Sequence, residues 1–271
     1  MCKELTAEKI KVSIVVPLYN EEGSARKLHE EIVNMCNDPV GLTYPAEWEI
    51  IFVDDGSSDG TAEICKTLRP LRYIRFRKNY GQTAALDCGF KAAQGDFIAA
   101  LDGDRQNDPA DIPRMLQLLI DNDLDVISGW RRERRDPFTK RAASRGANVL
   151  RQTLVHDGVH DSGCTLKIYR RECFRGLTLH NDQHRFIPAI LKTRGYSIGE
   201  TEVNHRPRTA GKSKYNYKRI FRGTRDLLDI WLKNKCEERQ IPLHISGKMQ
   251  DKVSYTVAED MTDGEATIDK Q

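Results

Sequence analysis

No two cysteines in this chain have CxxC spacing. The seven that occur (Cys2, Cys36, Cys65, Cys88, Cys164, Cys173 and Cys236) are scattered and odd in number. That argues against a zinc ribbon or a disulfide framework and suits reduced core thiols. No apolar run approaches the ~20 residues that span a bilayer. The N-terminus, MCKELTAEKIKVSIVV, has no signal-like apolar stretch before its first strand, so a soluble or peripheral cytoplasmic protein is expected. Net charge is only +3 over 271 residues, so the whole-chain balance names no partner.

What is present is a regular alternation. Short β-branched runs are expected as strands at 11–18, 48–53, 71–76, 96–102 and 125–130. Helical patterns lie between them at 24–36, 60–68, 82–94 and 109–122, the last with its prolines in the first turn. Strands that are continuous apolar runs separated by helices predict an α/β fold. Its sheet would be Rossmann-like and mostly parallel, with helices on both faces. Beyond residue 130 the pattern loosens. Helices are expected at 140–155, 184–195 and 216–234, and strands at 164–171 and 199–208. The last stretch, from Asp251 to Gln271, holds six acidic and two basic residues and is expected to be a mobile tail.

In such sheets ligands gather at the carboxyl ends of the strands. Here those ends carry YNEE, DDGSSDGT, DGDRQ and WRRERR. Asp102 and Asp104 flank Gly103, so two carboxylates converge whether the chain stays extended or turns. Two adjacent carboxylates raise each other's pKa, and a divalent cation relieves the conflict. Hard oxygen ligands point to Mg²⁺ or Mn²⁺, with Gln106 as a further candidate ligand. The alternative is a plain polar turn leading into the helix at Asp108–Pro109. Asp54, Asp55 and Asp59 form a second acidic turn on the same edge and strengthen the metal reading.

Two basic segments accompany the acids. Residues 131–151 hold eight Lys/Arg against two acids, and 203–225 hold eight with no acid. Facing an acidic edge, they suit a metal–diphosphate ligand and a second anionic partner. Taken alone, each is also an ordinary solvated face. Nucleic acid is not the expected partner, because aromatic stacking platforms are missing beside most of the arginines.

The segments SIVVPLYNEE, IIFVDDGSSDGT, FRKNYGQTAALDCGFKAAQGDFIAALDGDRQNDPADIP and HRPRTAGKSKY, in this order, resemble glycosyltransferase family 2. Within it they are most similar to the dolichyl- and polyprenyl-phosphate sugar transferases, dolichol-phosphate mannosyltransferase-like. The resemblance covers about residues 11–232 and implies a GT-A fold spanning 1–235. A nucleotide-sugar half (11–130) would precede an acceptor half (131–235), with 236–271 as an extension.

The resemblance further implies that Pro17, Tyr19, Glu21, Val53 and Asp55 surround the donor base and ribose. Asp102, Gly103, Asp104 and Gln106 would hold the metal and donor diphosphate. Arg131 and Arg141 would serve catalysis on the acceptor side. Arg206 or Arg208, with Lys212, Ser213 and Lys214, would close over the diphosphate. The implied activity is inverting, metal-dependent transfer from a UDP- or GDP-sugar to a lipid phosphate, at the cytoplasmic face of a membrane. Transfer to a hydroxyl of another glycolipid or glycan, and a non-catalytic nucleotide-sugar-binding subunit, are the alternatives. A hydroxyl acceptor would need a base, for which Asp182 is the candidate and helix capping its plainer role. Membrane-bound relatives continue into transmembrane helices past this region. Here the amphipathic stretch 217–236 suggests either an interfacial helix, with a membrane-anchoring partner protein, or a core-packing one.

Overall fold

A computed structural model describes residues 9–132, 158–179, 183–207, 257–262 and 265–267. Five strands lead: β1 (Ile10–Leu18), β2 (Ala46–Asp54), β3 (Arg72–Phe76), β4 (Phe97–Ala100) and β5 (Val126–Trp130). Four helices connect them: α1 (Ala25–Asn37), α2 (Thr61–Lys66), α3 (Gln82–Ala92) and α4 (Asp111–Asp121). Then come β6 (Lys167–Arg170), α5 (Ile187–Thr193), β7 (Ile198–Glu202), β8 (Val257–Thr262) and β9 (Glu265–Thr267).

The described strands form one sheet in the order β7-β5-β6-β4-β1-β2-β3-β8-β9. Strands β4, β1, β2 and β3 run parallel, and β7 runs parallel to β5. Strand β6 lies antiparallel between β4 and β5. Because β6 runs the other way, the residues before it arrive at the edge where β1, β4 and β5 end. From β1 the chain steps to β2 and β3 on one side, and the connection after β3 crosses back to β4 on the other, which makes the β1–β4 junction a switch point.

Side-chain alternation along β1 divides the core in two. Val12, Ile14, Val16 and Leu18 face α1 and α4, while Val15 faces α3. Helix α4 fits its side by the spacing of Ile112, Met115, Leu116 and Leu119, all fully buried. On the other side Ala84, Ala85 and Gly89 let α3 approach closely. A Cβ on Gly89 would stand 2.3 Å from Val15 Cγ1.

Three expectations change. The fourth strand ends at Ala100, so Asp102 and Asp104 lie in a turn past it and not along a strand face. The strand expected at 199–208 ends at Glu202, beyond which the Val203 N–H still donates to the Trp130 carbonyl (3.1 Å) and an isolated bridge joins Asn107 to His205. And part of the acidic C-terminal stretch is ordered: β8 pairs antiparallel with β3, from Arg72–Thr262 to Phe76–Val257, and covers that edge. The helices expected at 140–155 and 216–234 lie outside the described residues.

Gly89→Val is expected to destabilise the protein by about 2–3 kcal/mol through overpacking against Val15. The check is a lower urea midpoint with an unchanged slope.

Candidate active site

The loops after β1 and β2 are tied to each other before they meet any ligand. The Asn20 N–H donates to Ser57 Oγ (2.9 Å) and its side-chain oxygen accepts from the Ser58 N–H (2.9 Å). The Glu21 N–H donates to Thr61 Oγ1 (2.8 Å), and Glu22 accepts from the Gly60 N–H (2.9 Å). Asn20 adopts φ +55°, a left-handed conformation that asparagine tolerates.

The second acidic turn proves to be scaffolding, which corrects its reading as support for a metal. Asp54 is fully buried and accepts from the Ser57 N–H and the Tyr73 hydroxyl, both at 2.8 Å, with Arg75 at 3.6 Å. Asp55 accepts from the N–H groups of Tyr80 (2.6 Å) and Gly81 (2.9 Å), fixing the entry to α3. Asp59 accepts from the Thr61 hydroxyl and from the Glu22 N–H. Burial raises the Asp59 pKa, but the hydrogen bonds from Thr61 and Glu22 outweigh it and hold the carboxyl below its ordinary value.

The first acidic turn is different. Asp102 has one oxygen on Gln82 Nε2 and the other on Thr165 Oγ1, each at 2.7 Å. Gln82 opens α3, and Thr165 stands just before β6. Burial, and then the charge of Asp104, push the Asp102 carboxyl above its ordinary pKa. Asp104 is 6% exposed and accepts from the Gln106 N–H at 3.1 Å. Between them, Gly103 packs so tightly that a Cβ would lie 2.4 Å from Leu18 Cδ2 and 3.1 Å from the Pro17 carbonyl oxygen. The turn is thereby pressed onto the end of β1.

Positive charge borders the acids. Arg131, at the end of β5, makes a two-point ion pair with Asp161, at 2.7 and 3.1 Å. Burial opposes the Arg131 charge, but Asp161, with smaller help from Asp102, raises its pKa above the ordinary value. Glu200 on β7 accepts from the His160 and Asp161 N–H groups and so holds Asp161 in place. Lys167, 1% exposed, donates to the carbonyls of Ser162 and Cys164, and burial lowers its pKa.

Of the residues expected from sequence, Pro17, Asp55, Asp102, Gly103, Asp104, Gln106 and Arg131 come to the same sheet edge. Glu21 is there too, accepting from Ser24 Oγ (2.8 Å), with its Cγ beside Gly103. Tyr19 follows Leu18 in the same loop. Val53 is fully buried beneath α3. Arg206 is held by Glu31 (2.9 Å) and Asp108 (2.6 Å). Arg141, Asp182, Arg208, Lys212, Ser213 and Lys214 lie outside the described residues. Gln82, Thr165 and Asp161 are additions. Gln82 stands in a segment that the sequence comparison already singled out, whereas Thr165 and Asp161 could be found only once the direction of β6 was known.

The family model for "Glycosyl transferase family 2" matches residues 13–178, a span that runs from within β1 past the end of β6. This chain belongs to glycosyltransferase family 2. It is therefore an enzyme of sugar transfer. Relatives agree: it is 38% identical over 250 residues to dodecaprenyl-phosphate galacturonate synthase of Rhizobium johnstonii, covering 89% of this chain and 72% of that one. It is 35% identical over 229 residues to undecaprenyl-phosphate 4-deoxy-4-formamido-L-arabinose transferase of Proteus mirabilis, covering 82% and 68%. The family fold is matched by glucosyl-3-phosphoglycerate synthase from Mycobacterium tuberculosis, solved with Mn²⁺, UDP and its product. The TM-score is 0.63 at 17% identity, over 92% of this chain and 86% of that one. Among the described residues no helix is long and apolar enough to cross a membrane.

Two outcomes follow. Gly103→Ala is expected to shift the acidic turn and cut transfer at least about tenfold, since small misplacements of reacting groups are costly, and to lower the melting temperature through the contact with the buried Leu18. Asp59→Asn is expected to destabilise at neutral pH. Because the folded pKa is depressed, the carboxylate stabilises above the unfolded value near 3.8, and its contribution is lost as pH falls through the lower folded value. The gap between wild type and variant should therefore close in acid, as read by urea unfolding at each pH.

Proposed function

We propose that this glycosyltransferase moves a sugar from a nucleotide-sugar donor to a polyprenyl phosphate, with inversion, at the cytoplasmic face of a membrane. The observation that carries the proposal is the acidic turn at the switch point, where Asp102 is pushed up in pKa by burial and by Asp104. The two relatives named for prenyl phosphates support the acceptor class.

The residues fit a divalent cation. Among the described residues no group of three or more His, Cys, Asp or Glu is placed to hold a metal. Two carboxylates on one turn, with Asp102 raised in pKa by burial and by Asp104, would leave further positions for phosphate oxygens and water, which is the habit of Mg²⁺ with phosphorylated substrates. Asp102 and Asp104 would hold it, with Gln106 beside them. When bound, the cation supplies Lewis-acid stabilisation of the leaving diphosphate.

The remaining work belongs to the chain. Gln82 and Thr165 keep the Asp102 carboxylate from rotating. Asp161 aims the Arg131 guanidinium along the same edge, where it can offset the repulsion between donor diphosphate and acceptor phosphate. A phosphate oxygen is already anionic and attacks the anomeric carbon from the face opposite the nucleotide, so no general base is required. Of the two arginines in HRPR, Arg206 has its guanidinium committed to Glu31 and Asp108. We assign the diphosphate contact to Arg208, together with Lys212, Ser213 and Lys214.

Thermal-shift measurements against UDP- and GDP-sugars, with and without Mn²⁺, test the donor site. Ligand at about 100 times its Kd stabilises by about 2.7 kcal/mol, so a metal-dependent rise with one nucleotide class is expected. Asp104→Ala should abolish that rise and transfer to polyprenyl phosphate. An Asp104→Ala protein that still transfers sugar would overturn the proposal.

A further inference from the structure

Glu31 lies on α1, nine residues past the SIVVPLYNEE segment and outside the four segments that carry the resemblance. Its two carboxylate oxygens divide between two arginines. Oε1 accepts from the Arg105 guanidinium, with Nε at 3.2 Å and Nη2 closer still. Oε2 accepts from Arg206 Nη1 at 2.9 Å. Arg105 belongs to the acidic turn itself, between Asp104 and Gln106, and adopts φ +62°. That left-handed conformation is uncommon for an arginine and persists where the surroundings impose it. Arg206 lies two residues before Arg208.

The backbone repeats the same connection. Arg206 N–H donates to the Gln106 carbonyl (2.9 Å), Asn107 bridges His205, and Asn204 N–H donates to Asp108's neighbour on α4, Asp111, at 2.8 Å. Arg206 Nη2 adds Asp108 at 2.6 Å. The acidic turn and the segment leading to the basic loop are thus joined by backbone bonds and by one shared carboxylate. Glu31 is about a quarter exposed and Arg105 less, so the cluster is sheltered without being sealed. Such a network holds its geometry better than a lone surface pair, whose value is small.

We infer that Glu31 is a positioning residue for the transfer reaction: through Arg105 and Arg206 it locks the acidic turn and the root of the basic loop into one unit. Residues 102–107 and 203–207 then keep a fixed separation while donor enters. The inference rests on the donor-site reading above for its purpose, but the coupling itself is a property of the free protein.

Hydrogen exchange on the full-length, ligand-free chain tests the coupling. Glu31→Gln preserves shape and removes the charge. It should speed exchange in residues 102–107 and in 203–207 together, by about five- to tenfold, and leave β1 and β2 unchanged. Arg206→Gln should do the same, and the double variant should be no faster than either single one, because both break one network. Arg206→Lys, which keeps a cation within reach of Glu31, should restore most of the protection. Faster exchange in 203–207 alone would overturn the inference, as would a uniform rise across the sheet, which would mark Glu31 as merely stabilising. Mn²⁺ binding, followed by the loss of the free-ion electron paramagnetic resonance signal, should weaken about fivefold in Glu31→Gln, the scale of an ion pair in a network. Unchanged Mn²⁺ affinity in that variant would also overturn the positioning role. A wild-type protein that takes up no Mn²⁺ would sink the donor-site reading, and exchange would still decide the coupling.

Discussion

Two carboxylates at the end of a buried strand set the terms for the rest of this molecule. Asp102 and Asp104 meet where the sheet changes direction, on a turn pressed against β1 because residue 103 has no side chain. Left to themselves they repel, and Asp102 shows it in a raised pKa. Arg131 and Lys167 offset part of this charge through space, without outweighing burial and Asp104. Gln82 and Thr165 give hydrogen bonds that orient Asp102, while Arg131 and Lys167 stay engaged elsewhere, on Asp161 and on backbone carbonyls. Asp102 thus keeps a raised pKa in a fixed orientation, which suits the cation site proposed above.

The acids that look alike in sequence divide sharply by environment. Asp54, Asp55 and Asp59 each accept hydrogen bonds from backbone N–H groups of their own or adjoining loops. Those donors satisfy the carboxylates and, in turn, give the loops their shape. Among the described residues, Asp102 receives side-chain donors alone, from Gln82 and Thr165. Asp102 and the acids of the second turn look alike in sequence and differ in what their oxygens touch.

This difference marks the limit of what the sequence made legible. The alternation from β1 to β5 was readable because continuous apolar strands and amphipathic helices have distinct periods, and the observed ends fall within a few residues of the expected ones. Asp102, Asp104 and Arg131 were readable from their positions after strands. Thr165 and Asp161 were not, since their place depends on β6 running antiparallel between two strands that precede it in the chain. Nor was β8, whose acidic composition gives no sign that β3 has an edge to cover. Glu31 reads locally as a solvated helix position, and only the return of Arg206 gives it neighbours.

That return spans 175 positions, and the Thr165 bond to Asp102 spans 63. Contacts this far apart close large loops and form late. A ribosome releases the chain from its N-terminal end, so α1, β1 and the acidic turn emerge well before the segments that orient and brace them. The sheet centre has the local partners it needs to collapse early, while the turn waits. Competence for chemistry is thus deferred until residue 206 has emerged, and a chain truncated before it would keep much of the core yet lack the brace around its acids.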